Sequence, residues 1–362
     1  LDRSLMGRYL LKRLLLIIPT LFGIIAINFV IVQFAPGGPV EQAIAEASGM
    51  TMGGATANIS SAGAQGPSGS SSYQGSSGLD PEFLAKLEKQ FGFDKPAHER
   101  FFLMIWNYIR FDFGDSYFQD RPVVDLVIER IPVSISLGLW SLLLIYSISI
   151  PLGIAKAVRD GSRFDVATSA VLFAAYAIPG FLFSILLIII FAGGNYLSWF
   201  PLRGLTSEGF TELSLLDQVV DYFWHLALPL TALTLGGFAT LSMLTKNSFL
   251  EELSKQFVLT ARAKGLTEQR VLYGHVFRNA MLIVIAGFPA AFVGILFTGA
   301  LLIEVIFSLD GLGLLGFEAA MTRDFPILFG TLFAFTLVGL VMQLIGDMVY
   351  VLVDPRIDFE TR

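Results

Sequence analysis

Six apolar stretches, each long enough to cross a lipid bilayer as a helix, dominate this sequence. A spanning helix needs about 20 apolar residues, because the hydrocarbon layer is about 30 Å thick and a helix rises about 1.5 Å per residue. The composition agrees, since 54% of the 362 residues are hydrophobic and 15% are charged, which is too apolar for a water-soluble domain. We predict an all-α integral membrane protein with about six transmembrane helices. The predicted spans are Leu11–Phe34, Ser134–Ala155, Ala167–Phe191, Trp224–Thr245, Asn279–Ile303 and Ile327–Val353.

The distribution of Lys and Arg predicts how these spans are oriented. Basic residues concentrate in the loops on the cytoplasmic side of a membrane. If the N-terminus is cytoplasmic, most of the 24 basic residues lie on that side, and six spans return the C-terminus to it. The predicted segments are residues 1–10 as the cytoplasmic N-terminus, 11–34 as the first transmembrane helix, 35–133 as a large extracytoplasmic loop, 134–353 as a five-helix transmembrane core that contains a cytoplasmic loop at 246–278, and 354–362 as the cytoplasmic C-terminus.

The large extracytoplasmic loop has an unusual composition. Residues 47–78 are rich in Gly, Ser and Ala and carry no charge, so we expect them to be disordered. Asp80-Pro81-Glu82 has the residue types that start a short helix. A second, amphipathic helix is predicted over His98–Arg110, and two interpretations of it stay open: a cover on the membrane surface, or a docking surface for a soluble partner. Its apolar residues at helical spacing are Phe101, Phe102, Ile105, Trp106 and Ile109.

The loop at 246–278 carries the most specific pattern in the chain. It has six basic and three acidic residues, and we predict a first helix over Phe249–Lys264 that ends at Gly265 and is followed by a second, short helix capped by Thr267. Ala261 and Gly265 lie four apart and are expected to share one face. Such a face of small residues would allow another backbone to approach closely.

Several kinds of chemistry find no support in the sequence. No Gly-x-x-x-x-Gly-Lys-Ser/Thr phosphate loop occurs, so ATP hydrolysis, if it drives this protein, must take place on another polypeptide. The three histidines lie in different predicted regions and there is no cysteine, so we predict neither a catalytic nor a metal site. The net charge of −6 gives no indication of nucleic-acid binding.

The run Thr260-Ala261-Arg262-Ala263-Lys264-Gly265-Leu266 resembles the EAA loop of bacterial ABC-importer membrane subunits. In that family an alanine precedes a glycine by four residues, and the loop forms a coupling helix that sits in a groove of the ATPase subunit. Leu259 and Thr260 replace the first two motif residues, so Ala261 and Gly265 are the firm matches. Further segments resemble the dipeptide/oligopeptide branch of the family: Ala35-Pro36-Gly37-Gly38-Pro39, Gly92-Phe93-Asp94-Lys95-Pro96, Phe111-Asp112-Phe113-Gly114-Asp115-Ser116, Arg121-Pro122-Val123, Arg130-Ile131-Pro132, the run from Glu304 to Gly313, Arg323-Asp324-Phe325-Pro326 and Asp354-Pro355-Arg356-Ile357.

The Gly/Ser insertion and Ser308-Leu309-Asp310 make the resemblance closest to the B-type permease subunit of the oligopeptide/microcin C importer. This resemblance implies a type I ABC-importer permease fold in the bacterial inner membrane and no enzymatic activity or cofactor of its own. It also implies oligopeptide cargo, including microcin C-like peptides. The implied partners are a second permease subunit, ATP-binding-cassette ATPase subunits that bind ATP and Mg²⁺, a periplasmic peptide-binding protein and the lipid bilayer.

Prolines near the middle of two spans suggest where a translocation path opens. Each proline removes a helical hydrogen bond and tends to kink its helix. We predict that Pro179-Gly180 and Pro289 shape a central cavity, and that Glu304 lies at the outer end of the path.

Two other classes of function remain alternatives. Asp347 is an acid within the last predicted span, and intramembrane acids often mark ion pathways. We interpret it as satisfied at a helix–helix interface, but an ion-coupled secondary carrier that acts without an ATPase is the alternative. A membrane assembly or signalling protein, with the Gly/Ser segment as a tether, is the third class.

Overall fold

The computed structural model describes residues 3–34, 95–194, 196–294 and 300–353. The segment 47–78 that we expect to be disordered, and the helix start predicted at Asp80-Pro81-Glu82, lie outside the described residues. Within them the structure is helical, apart from turns and one isolated antiparallel bridge between Asp115 and Pro122.

The helices are numbered here in chain order. They are α1 (Arg3–Phe34), α2 (Ala97–Ile109), α3 (Val123–Val158), α4 (Arg163–Tyr176), α5 (Gly180–Phe191), α6 (Leu215–Leu253), α7 (Gln256–Ala263), α8 (Glu268–Val271), α9 (Phe277–Gly294), α10 (Ala300–Phe307), α11 (Leu312–Thr322) and α12 (Phe325–Val353). A short 3₁₀ turn, Phe210–Glu212, precedes α6, and a π-helical turn, Leu272–Val276, joins α8 to α9.

The predicted number of spans, about six, is confirmed. Among the described residues, five helical segments are long and apolar enough to cross a membrane, and α4 with α5 make a sixth if this bent pair is one span. The five are Leu11–Ile31, Val123–Val158, Leu215–Leu253, Glu268–Gly294 and Phe325–Val349.

The third predicted span, Ala167–Phe191, is wrong as a single helix. Helix α4 ends at Tyr176 and α5 begins at Gly180, with a 90° bend between them. Pro179 has no N–H to donate and disfavours a helical backbone at the residue before it, and its own ψ of 129° is extended. Pro151 and Pro229, by contrast, lie inside the continuous helices α3 and α6.

The fifth predicted span, Asn279–Ile303, also differs from the structure. Helix α9 ends at Gly294 and α10 begins at Ala300, with residues 295–299 outside the described part. The short apolar helix α11 was not anticipated from the sequence. Hydrogen bonds to side chains of α3 and α10 fix the N-terminus of this helix.

The chain divides into two compact units, and the larger one comprises Leu1–Leu15, Val127–Phe317 and Ala334–Arg362. Helix α6 is its centre and packs against α4, α5, α9 and α10. Ser214 caps the N-terminus of α6, because its hydroxyl accepts a hydrogen bond from the Asp217 N–H at 3.3 Å. Apolar side chains then hold α6 in place through burial.

The smaller unit comprises Leu16–Leu126 and Glu318–Phe333. The amphipathic helix predicted at His98–Arg110 is confirmed as α2. The Tyr108 ring packs edge-on against Phe113 and Phe333, with centroid distances of 5.0 and 5.4 Å. Burial raises the pKa of the Tyr117 hydroxyl, and the nearby Asp324 carboxylate adds to the effect.

Candidate functional site

The loop predicted at 246–278 forms a hairpin between α6 and α9, and we call residues 254–276 the α7–α8 hairpin. The predicted helix Phe249–Lys264 is wrong as one element, because α6 ends at Leu253 and α7 begins at Gln256. At the break the Ser254 hydroxyl donates to the Glu251 carbonyl at 2.7 Å. Lys255 there adopts an extended backbone with ψ of 152°. Its hydrogen bond to Glu252 raises the pKa of the Lys255 ammonium.

Gly265 ends α7 as predicted, and its backbone conformation explains why a glycine stands there. Its φ is +79°, in the left-handed region that side chains with a Cβ rarely adopt. The Gly265 N–H donates to the Arg262 carbonyl at 2.9 Å and the Leu266 N–H donates to the Ala261 carbonyl at 3.3 Å. This pair of bonds is the Schellman motif, which satisfies the last carbonyls of a helix.

The inner side of the hairpin is packed into the chain itself. Val258 and Ala261 of α7 are buried in one apolar cluster with Phe249 of α6, Val271 of α8 and Val276. The expectation that Ala261 and Gly265 present one face to a partner is therefore not met. Ala261 is 7% exposed and points into its own chain, whereas Gly265 is exposed beyond the helix end.

The outer side of the hairpin is mostly polar. Its exposed residues include Thr260, Arg262, Ala263, Lys264 and Gly265 as well as the apolar Leu259, and Leu266 is half-buried. Arg262 forms a two-point ion pair with Glu268, with Nε–Oε1 and Nη2–Oε2 distances of 2.9 and 3.0 Å. This exposed pair bridges α7 and α8 across the Gly265 turn, and pairs of this kind contribute about 1 kcal/mol or less.

A π-helical turn follows α8, and no sequence signal indicated it. Its wider winding places Val271 and Val276, five residues apart, on the same buried side. Tyr273 and His275 are exposed. A shallow depression of about 300 Å³ lies between α7 and this turn, lined by Phe257, Thr260, Ala261, Lys264, Leu266 and His275.

An ion-pair cluster beside the hairpin is formed by the buried residues Lys156, Asp165 and Lys246 and by Asp160, whose side chain is 54% exposed. The Lys246 Nζ lies 2.6 Å from Asp165 Oδ2 and 2.8 Å from Asp160 Oδ1. The Lys156 side chain is fully buried, with its Nζ 2.7 Å from Ser169 Oγ and 3.9 Å from Asp165 Oδ1. The cluster joins the end of α3 to α4 and α6. The predicted spans end at Ala155 and Thr245, directly before these two lysines, and nothing in the sequence indicated that the lysines are buried. The local signal in this region is Ser162, whose hydroxyl accepts a hydrogen bond from the Asp165 N–H at 3.3 Å.

The structure places three of the predicted path residues at helix junctions. Pro179 and Gly180 lie at the α4–α5 bend. Pro289 of α9 packs tightly against Gly346 of α12, where an added Cβ would approach the proline ring to 2.2 Å. The contact at Pro289 therefore brings the α9 and α12 backbones close together.

Glu304, the fourth predicted path residue, is fully buried. Its carboxylate accepts hydrogen bonds from the Ser134 hydroxyl at 2.8 Å and from the Leu314 N–H at 2.9 Å. The Ser134 oxygen in turn accepts from the Leu312 N–H at 2.9 Å. A Cβ on Gly311 would lie 2.4 Å from the carboxyl carbon. In this structure Glu304 thus anchors the N-terminus of α11 to α3, a role that the sequence did not reveal.

The chain is similar in sequence to known transport proteins. Residues 149–359 match the family described as binding-protein-dependent transport system inner membrane component. The chain is 60% identical to the peptidoglycan transport system permease protein YejB of Agrobacterium fabrum and 58% identical to the inner membrane ABC transporter permease protein YejB of Escherichia coli O157:H7, in each case over 99% of this chain and 100% of the relative. It is 32% identical to the oligopeptide transport system permease protein AppB of Bacillus subtilis, over 98% of this chain and 100% of that protein.

These relatives are transport subunits and not enzymes. Identities of this size over whole chains show common descent and a common fold. The chain belongs to the family of binding-protein-dependent inner membrane transport components, in its dipeptide/oligopeptide permease branch, and is a membrane-embedded subunit with the type I ABC-importer permease fold.

Proposed function

We propose that this chain forms half of the translocation path of an ATP-driven peptide importer and that the α7–α8 hairpin docks on a separate ATPase subunit. The observation that carries this proposal is the two-sided hairpin. Arg262, Lys264 and Gly265 are exposed, while Val258 and Ala261 on the inner side are buried with residues of α6 and α9. Close-packed interiors transmit displacement because they compress little, so motion of the outer surface would reach both spanning helices.

The partners follow from the family. A second permease subunit would complete the path, the ATPase subunits would bind ATP and Mg²⁺, and a periplasmic binding protein would deliver the cargo. With both termini in the cytoplasm, the hairpin faces the ATPases. ATP binding would close the ATPases and open the spans outward, and hydrolysis would reset them.

The cargo we propose is a peptide. The relatives are named for oligopeptides and for peptidoglycan, and cargo of both kinds contains peptide. Microcin C-like peptides are included in the proposal because of the resemblance noted above. Competition of unlabelled oligopeptide, peptidoglycan fragment and microcin C against uptake of a labelled peptide would rank these cargoes.

Replacing Gly265 with Val is expected to uncouple ATP hydrolysis from uptake, whereas Gly265→Asn should retain coupling. A β-branched residue at φ +79° is strained by about 1–2 kcal/mol or more, and asparagine tolerates this region better. The measurement is ATP hydrolysis and peptide uptake by the complete transporter in proteoliposomes. Gly209→Val is the matched control, because Gly209 has φ +78° but lies in the loop before α6. Unchanged uptake in Gly265→Val would contradict the proposal.

The Asp347→Asn variant distinguishes an ATP-driven importer from an ion-coupled carrier. Asp347 lies beside Arg13, with an Nε–Oδ2 distance of 3.1 Å but without hydrogen-bond geometry at Oδ2, so the opposite charge of Arg13 supports its interpretation as a residue at a helix interface. We expect uptake by Asp347→Asn to remain dependent on ATP and to persist when the proton gradient is dissipated. Uptake that follows the gradient and is abolished by this substitution would favour the carrier.

A further inference from the structure

Helix α2 exposes an apolar face. Phe102, Trp106 and Ile109 are 66%, 54% and 64% exposed, and their spacing of four and three places them on one side of the helix. The exposed polar residues of α2 are His98 and Glu99 in its first turn and Asn107 in its last turn. Large exposed aromatic and aliphatic side chains in a contiguous row indicate a binding surface and not a hydrated one.

Contacts on the opposite side of α2 indicate how deeply the first half of this helix lies in the membrane. The Phe101 ring packs edge-on against Phe22 and Phe29 of α1, with centroid distances of 5.9 and 5.2 Å. Both phenylalanines belong to the apolar span Leu11–Ile31. At about 1.5 Å per residue they lie roughly 14 and 3 Å inside the end of that span at Ile31.

The second half of α2 lies at a comparable depth. The Tyr108 ring contacts Phe333 of α12, and the apolar span in α12 begins at Phe325. Phe333 is therefore about 12 Å inside that span. Both ends of α2, a helix about 20 Å long, thus touch spanning helices at levels within their apolar segments. A helix held in this way lies along the membrane plane.

The side chains at the C-terminal end of α2 fit the boundary between acyl chains and headgroups. The Arg110 guanidinium stacks over the Trp106 ring, 4.2 Å from its centroid. Tryptophan is enriched at this boundary, and arginine extends from it toward phosphate. The exposed face of α2 also continues the apolar surface of α1, where Phe22 and Ile27 are 50% and 62% exposed.

We propose that α2 lies in the lipid leaflet that contains the C-terminal end of α1, with Phe102, Trp106 and Ile109 against acyl chains and Arg110 on the side of α2 from which its side chain extends toward the headgroups. The occupant of this face is lipid. In this position α2 anchors the Phe111–Pro122 turn at the membrane surface. The proposal does not depend on ATP coupling or on the cargo.

The absence of cysteine from the sequence allows a direct test with single-cysteine variants. Phe102→Cys and Ile109→Cys would carry a nitroxide spin label in the full chain, reconstituted with its transporter into vesicles of phosphatidylethanolamine and phosphatidylglycerol. The measurement is collision of the label with oxygen, which partitions into lipid, and with a neutral nickel chelate, which stays in water. Ile18 of α1 is 64% exposed, and Ile18→Cys is the control for a label in lipid. Glu208→Cys, in the exposed α5–α6 loop, is the control for a label in water.

We expect the ratio of oxygen to nickel collisions at positions 102 and 109 to be severalfold higher than at 208 and to approach that at 18. A ratio equal to that at 208 would overturn the proposal in favour of a hydrated face that binds a soluble partner. A label that is immobilised and shielded from both reagents would overturn it in favour of another protein subunit. All four positions are exposed, so labelling removes no buried contact. Each variant is checked for folding by size-exclusion chromatography, where it should elute at the volume of the wild-type complex.

Discussion

Gly311→Ala is expected to destabilise the chain severely, because the new methyl group would lie 2.4 Å from the Glu304 carboxyl carbon and 2.5 Å from both carboxyl oxygens. Glu304 cannot move aside cheaply, since it is fully buried and hydrogen-bonded to Ser134 and Leu314. Overpacking costs about 1–3 kcal/mol, and each buried polar group left without its partner costs about 1–3 kcal/mol more. We therefore expect a loss of about 3 kcal/mol or more, measured by thermal unfolding in detergent and by the amount of protein in the membrane.

Two further variants isolate the cause of this loss. Gly287→Ala in α9 is the matched control, because an added Cβ there has nothing within 4 Å and alanine forms helices better than glycine by up to about 1 kcal/mol. In the double variant Gly311→Ala/Glu304→Ala the clash disappears, so the combined loss should be smaller than the sum of the single losses. Strict additivity, or a stable Gly311→Ala, would show that the carboxylate does not enforce glycine at this position.

Lys246→Met is expected to produce the second large effect, because it leaves Asp165 buried without its 2.6 Å partner. Removing one partner of a buried ion pair costs about 3–5 kcal/mol. The Lys156 ammonium, 3.9 Å from the other Asp165 oxygen, offsets part of this cost, so we expect about 3 kcal/mol. Thermal unfolding in detergent measures the change in stability. Uptake should fall in parallel, since the cluster holds α3, α4 and α6 together beside the hairpin.

The matched control is Lys255→Met, which removes the same charge from a lysine that is itself exposed and pairs with Glu251 and Glu252, and it should change stability by about 1 kcal/mol or less. Lys246→Met/Asp165→Leu should recover only part of the loss, because the unpaired Asp165 charge is removed but the fully buried Lys156 then lacks its carboxylate neighbour. If Lys246→Met proves no more harmful than Lys255→Met, the cluster contributes little to the fold.

Local features of the hairpin were predictable where the cause is local. A glycine after an amphipathic run predicts a helix end, and Gly265 ends α7 with φ +79°. The break at Ser254–Lys255 was missed because helical periodicity continues across it, although the Lys255 backbone is extended with ψ of 152°. The burial of Ala261 was also missed, since spacing identifies residues on one face but not what that face contacts.

The sequence by itself determined the membrane class, the number of spans, the amphipathic α2 and the family. These properties depend on the thickness of a bilayer and on short motifs, which act over neighbouring residues. Only the tertiary structure decided the roles of Glu304 and Lys246, because their partners Ser134 and Asp165 lie 170 and 81 residues away in the chain. A buried carboxylate or ammonium takes its function from whichever groups the fold brings within hydrogen-bonding distance, and periodicity along the chain carries no information about them.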